Sequence, residues 1–166
     1  DALTLSEHGD LSRDPLVYIG DGNNVAHSLM HLAGALGMKL VVCTPPGFEP
    51  DPRVTECARR LARASGAEVR LESSPRAAVK DAAFVYTDVW TSMGQEAQAE
   101  QRRQRFRGYT VDAELLAAAP ASARVLYFDP PALIDALLDD VVNTPGALPL
   151  LSFALSEMYV RYVTRQ

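Results

Sequence analysis

The strongest constraint on this chain is a rhythm. Short apolar runs recur along it, and most are followed by a longer stretch with helical spacing. Leu16-Val-Tyr-Ile19 is a β-prone run. Asn24 to Leu36 follows, with Val25, Leu29, Leu32, Ala33 and Leu36 on one helical face and Gly37 as its stop. Lys39 to Cys43 reads as a second strand, ended by Thr44-Pro-Pro-Gly47. Pro52 to Ser65 reads as a helix, with Pro in its first turn and Gly66 beyond its end. Strands are expected at 67–71, 83–87 and 124–128, and helices at 75–80, 95–106 and 111–119. Strand–helix alternation of this kind builds a parallel sheet with helices on both faces. The expected fold is therefore α/β, a doubly wound, Rossmann-like sheet of order 3-2-1-4-5. At 166 residues the chain is long enough for one such domain and its core.

In that order strands 1 and 4 are neighbours, and the chain leaves them in opposite directions. Such sheets bind ligands in the crevice beyond those strand ends. The loops after Ile19 and Thr87 are thus the expected site. The first is Gly20-Asp21-Gly22-Asn23-Asn24. Its glycines permit close backbone approach, and either Asn could cap the following helix, whose N-terminus favours a carboxylate or phosphate. A dinucleotide fingerprint is disfavoured. Val25 stands where the third glycine belongs, and no acidic residue ends strand 2. The second loop is Thr87-Asp-Val-Trp-Thr-Ser-Met-Gly94. Asp88 closes an apolar strand, where a carboxylate can pair with a ligand ammonium; Ser92 adds a hydroxyl. A plainer alternative makes the first loop a turn and Asp88 a turn cap.

Taken together, these residues resemble the ornithine carbamoyltransferase family. Gly20-Asp-Gly-Asn-Asn-Val-Ala-His-Ser-Leu29 looks like that family's signature after the first strand of its ornithine-binding domain. Tyr86-Thr-Asp-Val-Trp-Thr-Ser-Met-Gly-Gln-Glu96 looks like its second signature. The likeness runs from about residue 2 to about residue 119. Aspartate carbamoyltransferases share the fold but lack the Asp-x-x-x-Ser-Met-Gly loop. The resemblance implies L-ornithine, or a similar amino acid, bound by Asn24, Asp88, Ser92 and Met93, with Gly20, Asp21, Gly22 and Asn23 as the supporting loop. It implies carbamoyl transfer from carbamoyl phosphate to ornithine, giving citrulline in arginine metabolism, with no cofactor and no metal. The family's carbamoyl phosphate elements fall outside this sequence, and Tyr127-Phe-Asp129 stands where a His-Cys-Leu loop is expected. The isolated chain is therefore expected to be inactive without a complementing carbamoyl-phosphate domain, and no catalytic residue is assigned. Alternatives are a non-catalytic amino-acid-binding module, or a composite signalling or structural protein with a vestigial site.

Three segments are expected: 1–13 as the remnant of an interdomain helix, 14–128 as the ornithine-binding unit, and 129–166 as a helical extension of different character. In the last, 130–142 and 147–163 read as helices. Tyr127 to Asp140 and Pro145 to Glu157 resemble a helical segment of bacterial STAND-type signalling ATPases, but no phosphate-binding Gly-x-x-x-x-Gly-Lys loop accompanies them.

Charge and cysteine content narrow the partners. With 16 basic and 21 acidic residues the net charge is −5, which disfavours nucleic acid. No apolar run reaches the ~18–20 residues of a membrane helix. The two cysteines, Cys43 and Cys57, read as small buried residues of a reducing, cytoplasmic compartment. His27 and His31 share a helix face, yet lack a third ligand in sequence. The Gln- and Arg-rich stretch from Gln95 to Arg107 reads as a solvated helix face.

Overall fold

The computed structural model describes residues 2–88, 99–127 and 161–164. A helix α1 (Ala2–His8) precedes strand β1 (Leu16–Ile19). Then come α2 (Asn24–Leu36), β2 (Lys39–Cys43), α3 (Pro52–Ser65) and β3 (Glu68–Glu72). A short α4 (Pro75–Ala78) runs into a 3-10 turn (Val79–Asp81) and β4 (Phe84–Thr87). The remaining elements are α5 (Ala99–Arg105), α6 (Ala113–Leu116), β5 (Arg124–Tyr127) and β6 (Arg161–Thr164).

The sheet order is β3-β2-β1-β4-β5-β6. The first five strands are parallel in the expected 3-2-1-4-5 order. Every residue of β1 is buried because β1 is central and covered on both faces. Leu16 and Tyr18 point into one core with Leu29 and Met30 of α2, Leu40, Phe84 and Leu126. Val17 and Ile19 point into a second core with Val79, Val85, Phe106 and Leu115. The two-residue period of a strand thus divides β1 between two layers.

Local chemistry sets the helix limits. Asn23 caps α2, its Oδ1 accepting the Val25 and Ala26 amides at 2.9 and 3.3 Å. Gly37 and Gly66 end α2 and α3 in the left-handed region, at φ 74° and 81°. Gly34 allows α2 and α3 to pack closely, since a Cβ there would lie 2.9 Å from the Ala58 carbonyl oxygen.

The C-terminal expectation is corrected in part. Residues 161–163, expected to close a helix, lie in β6, which pairs antiparallel with β5. Tyr162, Val163 and Thr164 are β-prone, and the outer edge of β5 offers unpaired backbone groups. The expected helix at 130–142, and 147–160 of the last one, lie outside the described residues. Among the described residues no helix is long and apolar enough to cross a membrane.

Candidate functional site

The register of β1 against β4 builds the site. Ile19 pairs with Thr87, so Gly20 and Asp88 leave neighbouring parallel strands at the same level. The Thr87 hydroxyl donates to the Ile19 carbonyl at 2.9 Å and ties the two strand ends together. The expected crevice lies beyond these two strand ends, from which the chain leads to Asn24 and to Asp88. Ser92 and Met93 lie outside the described residues.

The first loop is held from several sides. The Gly20 amide donates to the Cys43 carbonyl and the Gly22 amide to the Phe48 carbonyl, at 3.1 and 2.9 Å. The Tyr18 hydroxyl donates to the Asp21 carbonyl at 3.0 Å. Gly22 is required by close approach: a Cβ would sit 2.4 Å from the Pro50 nitrogen and 2.5 Å from the Phe48 oxygen. With Asn23 occupied as the cap, the exposed Asn24 is the amide left at the rim. It borders an open cleft of about 370 Å³, with Val25, Ser28, Leu29, Leu32 and Tyr86.

Asp88 is half-buried. Its charge is felt by two tyrosines beneath the crevice. Burial, with Asp88 second, pushes the Tyr86 hydroxyl up to about 12, and the same two causes raise Tyr18. Both phenols are therefore neutral hydrogen-bonding groups at physiological pH.

Asp21 does more than turn the chain. Its Oδ2 accepts from Arg102 Nη1 at 2.8 Å, and both residues are buried. The Arg102 guanidinium lies over the Phe48 ring at 5.1 Å, and Phe48 meets Phe106 edge to face at 4.9 Å. This corrects the reading of the Gln95–Arg107 stretch as a solvated face: Arg102 and Phe106 turn inward while Gln101, Arg103, Gln104 and Arg105 are exposed. An Arg and a Phe four residues apart share a helix face, and that was the available signal.

His27 Nε2 accepts the Asp51 amide at 3.0 Å, which ties the first turn of α2 to the N-cap of α3. Among the described residues no group of three or more His, Cys, Asp and Glu is placed to hold a metal. Cys43 is fully buried and its thiol is pushed up to about 12, chiefly by burial, which keeps it protonated. Cys57, expected to be buried, is only half-buried.

Comparison with known proteins agrees with the fold. The family model for the aspartate/ornithine carbamoyltransferase Asp/Orn-binding domain matches residues 14–150, a span that runs past residue 128. The ornithine carbamoyltransferase of Thermococcus kodakarensis is 44% identical over 144 residues, covering 87% of this chain and 46% of the relative. That of Parasynechococcus marenigrum is 52% identical over 128 residues, covering 76% and 40%. Among solved structures, the Pyrococcus furiosus ornithine carbamoyltransferase aligns with a TM-score of 0.70 at 41% identity, over 85% of this chain and 45% of that one. The Campylobacter jejuni anabolic enzyme aligns with a TM-score of 0.73 at 30% identity, over 79% and 44%. The chain thus spans just under half the length of the curated relatives it matches most fully. By sequence and sheet topology, this chain belongs to the aspartate/ornithine carbamoyltransferase family, within its Asp/Orn-binding domain.

Proposed function

We propose that the chain binds L-ornithine as the amino-acid half of an ornithine carbamoyltransferase acting in cytoplasmic arginine metabolism. The observation that supports this most directly is the Ile19–Thr87 register, by which the segments leading to Asn24 and to Asp88 leave neighbouring parallel strands at the same level. In this reading Asp88 accepts the α-ammonium group of the ligand, and Asn24, at the start of α2, meets its α-carboxylate. Ser92 and Met93 complete the contacts, and Gly20, Asp21, Gly22 and Asn23 hold the loop in shape. In this reading residues 14–128 carry the binding unit, 1–13 are the remnant of an interdomain helix, and 161–164 add a strand to the unit's sheet.

The reaction served is attack by the uncharged δ-amine on the carbonyl carbon of carbamoyl phosphate. The new C–N bond forms, the C–O bond to phosphate breaks, and the amine loses a proton. This chain's part is to position the amine, which lowers the entropic barrier to the bimolecular step. Polarising carbamoyl phosphate falls to the complementing domain. With Tyr127, Phe128 and Asp129 in place of the His-Cys-Leu loop, the ornithine side chain has fewer partners here than in the family pattern.

Calorimetric titration with L-ornithine tests the reading. The full chain should bind, and Asp88→Ala should weaken binding about tenfold or more, the worth of one charge-assisted hydrogen bond. Absence of binding at millimolar ornithine overturns it. A citrulline assay then separates an enzyme half from a non-catalytic amino-acid-binding module: product should form only when the carbamoyl-phosphate domain is added.

A further inference from the structure

We propose that Asp21 and Arg102 form a positioning pair that fixes the first site loop against the chain segment following the second. The inference rests on the amino-acid-binding reading above and deepens it. The two residues are 81 positions apart and meet at 2.8 Å. The Arg102 and Asp21 side chains are 9% and 11% exposed, so little water reaches the pair.

Such a pair is a poor device for stability alone. Removing two charges from water offsets most of their attraction, and an apolar pair of equal volume often does as well. Arg102 is also incompletely satisfied, since its buried Nε has no hydrogen-bond acceptor among the described residues. What the arrangement supplies is direction. A guanidinium is planar and donates along fixed lines, and here its plane is further held over Phe48.

Location gives that direction a purpose. Asp21 lies three residues before Asn24, in a loop whose own carbonyl and following amide are taken by Tyr18 and Phe48. Tyr18 and Phe48 come from β1 and from the segment after β2. Arg102 comes from α5, on the stretch of chain that continues from Asp88. The pair therefore joins the loop that leads to Asn24 to helix α5, which follows Asp88 in the chain. Relative placement of those two groups decides whether one amino acid can reach both.

The test compares the full chain with Asp21→Asn, Arg102→Met, their combination and Arg102→Lys. Three quantities are read: the thermal midpoint, the affinity for L-ornithine, and acrylamide quenching of Trp90, the one tryptophan of the chain, which lies between Asp88 and Arg102 in sequence. Arg102→Met should lower the midpoint, because it strands the buried Asp21 carboxyl without its partner. The combined variant should recover most of the midpoint, yet bind ornithine about fivefold or more weaker, with altered Trp90 quenching. A combined variant with wild-type affinity and wild-type quenching overturns the proposal. If the combined variant does not fold, Arg102→Lys decides by the same criteria, since it keeps the charge and loses the fork. A wild-type chain that binds no ornithine refutes the binding reading instead, and Trp90 quenching alone then decides the role of the pair.

Discussion

At Asp21, burial and ion pairing pull in opposite directions. Burial, the largest influence, raises its carboxyl above the ordinary 3.8, against the pull of Arg102, the Gly22 amide and His27. The groups facing it are Arg102, His27 and the Tyr18 hydroxyl. A carboxyl that is harder to ionise when folded favours the folded state while protonated. That contribution is complete below about pH 3.8 and is lost as pH rises through the raised folded value. Urea unfolding of wild type and Asp21→Asn, from about pH 3.5 to about pH 7, should show the stability difference moving against wild type as pH rises. A difference that stays flat with pH contradicts this. Residues also differ in how visible they were beforehand. Asn24 and Asp88 are marked in the sequence by standing just beyond two apolar strands. Arg102 is not, because the partner that buries it lies 81 positions away.

Elements follow local rules closely where capping is strong. Helix α3 runs over Pro52–Ser65 as its Pro and Gly signals indicate, with Asp51 capping the Arg53 amide at 2.7 Å. Where signals are weak the limits move. Helix α6 covers only Ala113–Leu116, because Asp112 caps it, accepting the Leu115 amide at 2.8 Å, and turns follow. Strand β3 runs over Glu68–Glu72, one residue later than its apolar pattern suggests, because its register is set by pairing with β2. The α2–α3 contact shows tertiary packing overriding propensity. Gly→Ala inside a helix ordinarily stabilises it by about 1 kcal/mol. Gly34→Ala should do the reverse, costing about 1–3 kcal/mol, because the new methyl meets the Ala58 oxygen at 2.9 Å and Leu61 Cβ at 3.0 Å. Chemical denaturation of the variant reads the sign directly.

For the molecule as a whole, α1 is bound into the domain it precedes. Leu5 is fully buried and joins the core beside Leu16, Phe84 and Leu126. Arg124 Nη1 donates to the His8 carbonyl at 3.2 Å, so β5 also meets this end of the chain. Leu5→Ala should therefore cost about 2–5 kcal/mol, the range for emptying a core leucine site. A thermal scan showing an unchanged midpoint would mean that α1 is not part of the cooperative unit.

The sequence by itself determined the α/β class, the five-strand order and the glycine stops of the two long helices. All of these follow from short-range period, from turn residues, or from the handedness that limits crossover connections. Tertiary structure alone decided that Arg102 meets Asp21, that His27 holds the Asp51 amide, that Leu5 is core, and that 161–164 add a strand rather than end a helix. The reason is the same in each case. Burial and pairing between distant segments are fixed by which surfaces the folded layers bring together, and nothing in a local stretch of sequence records its distant partner.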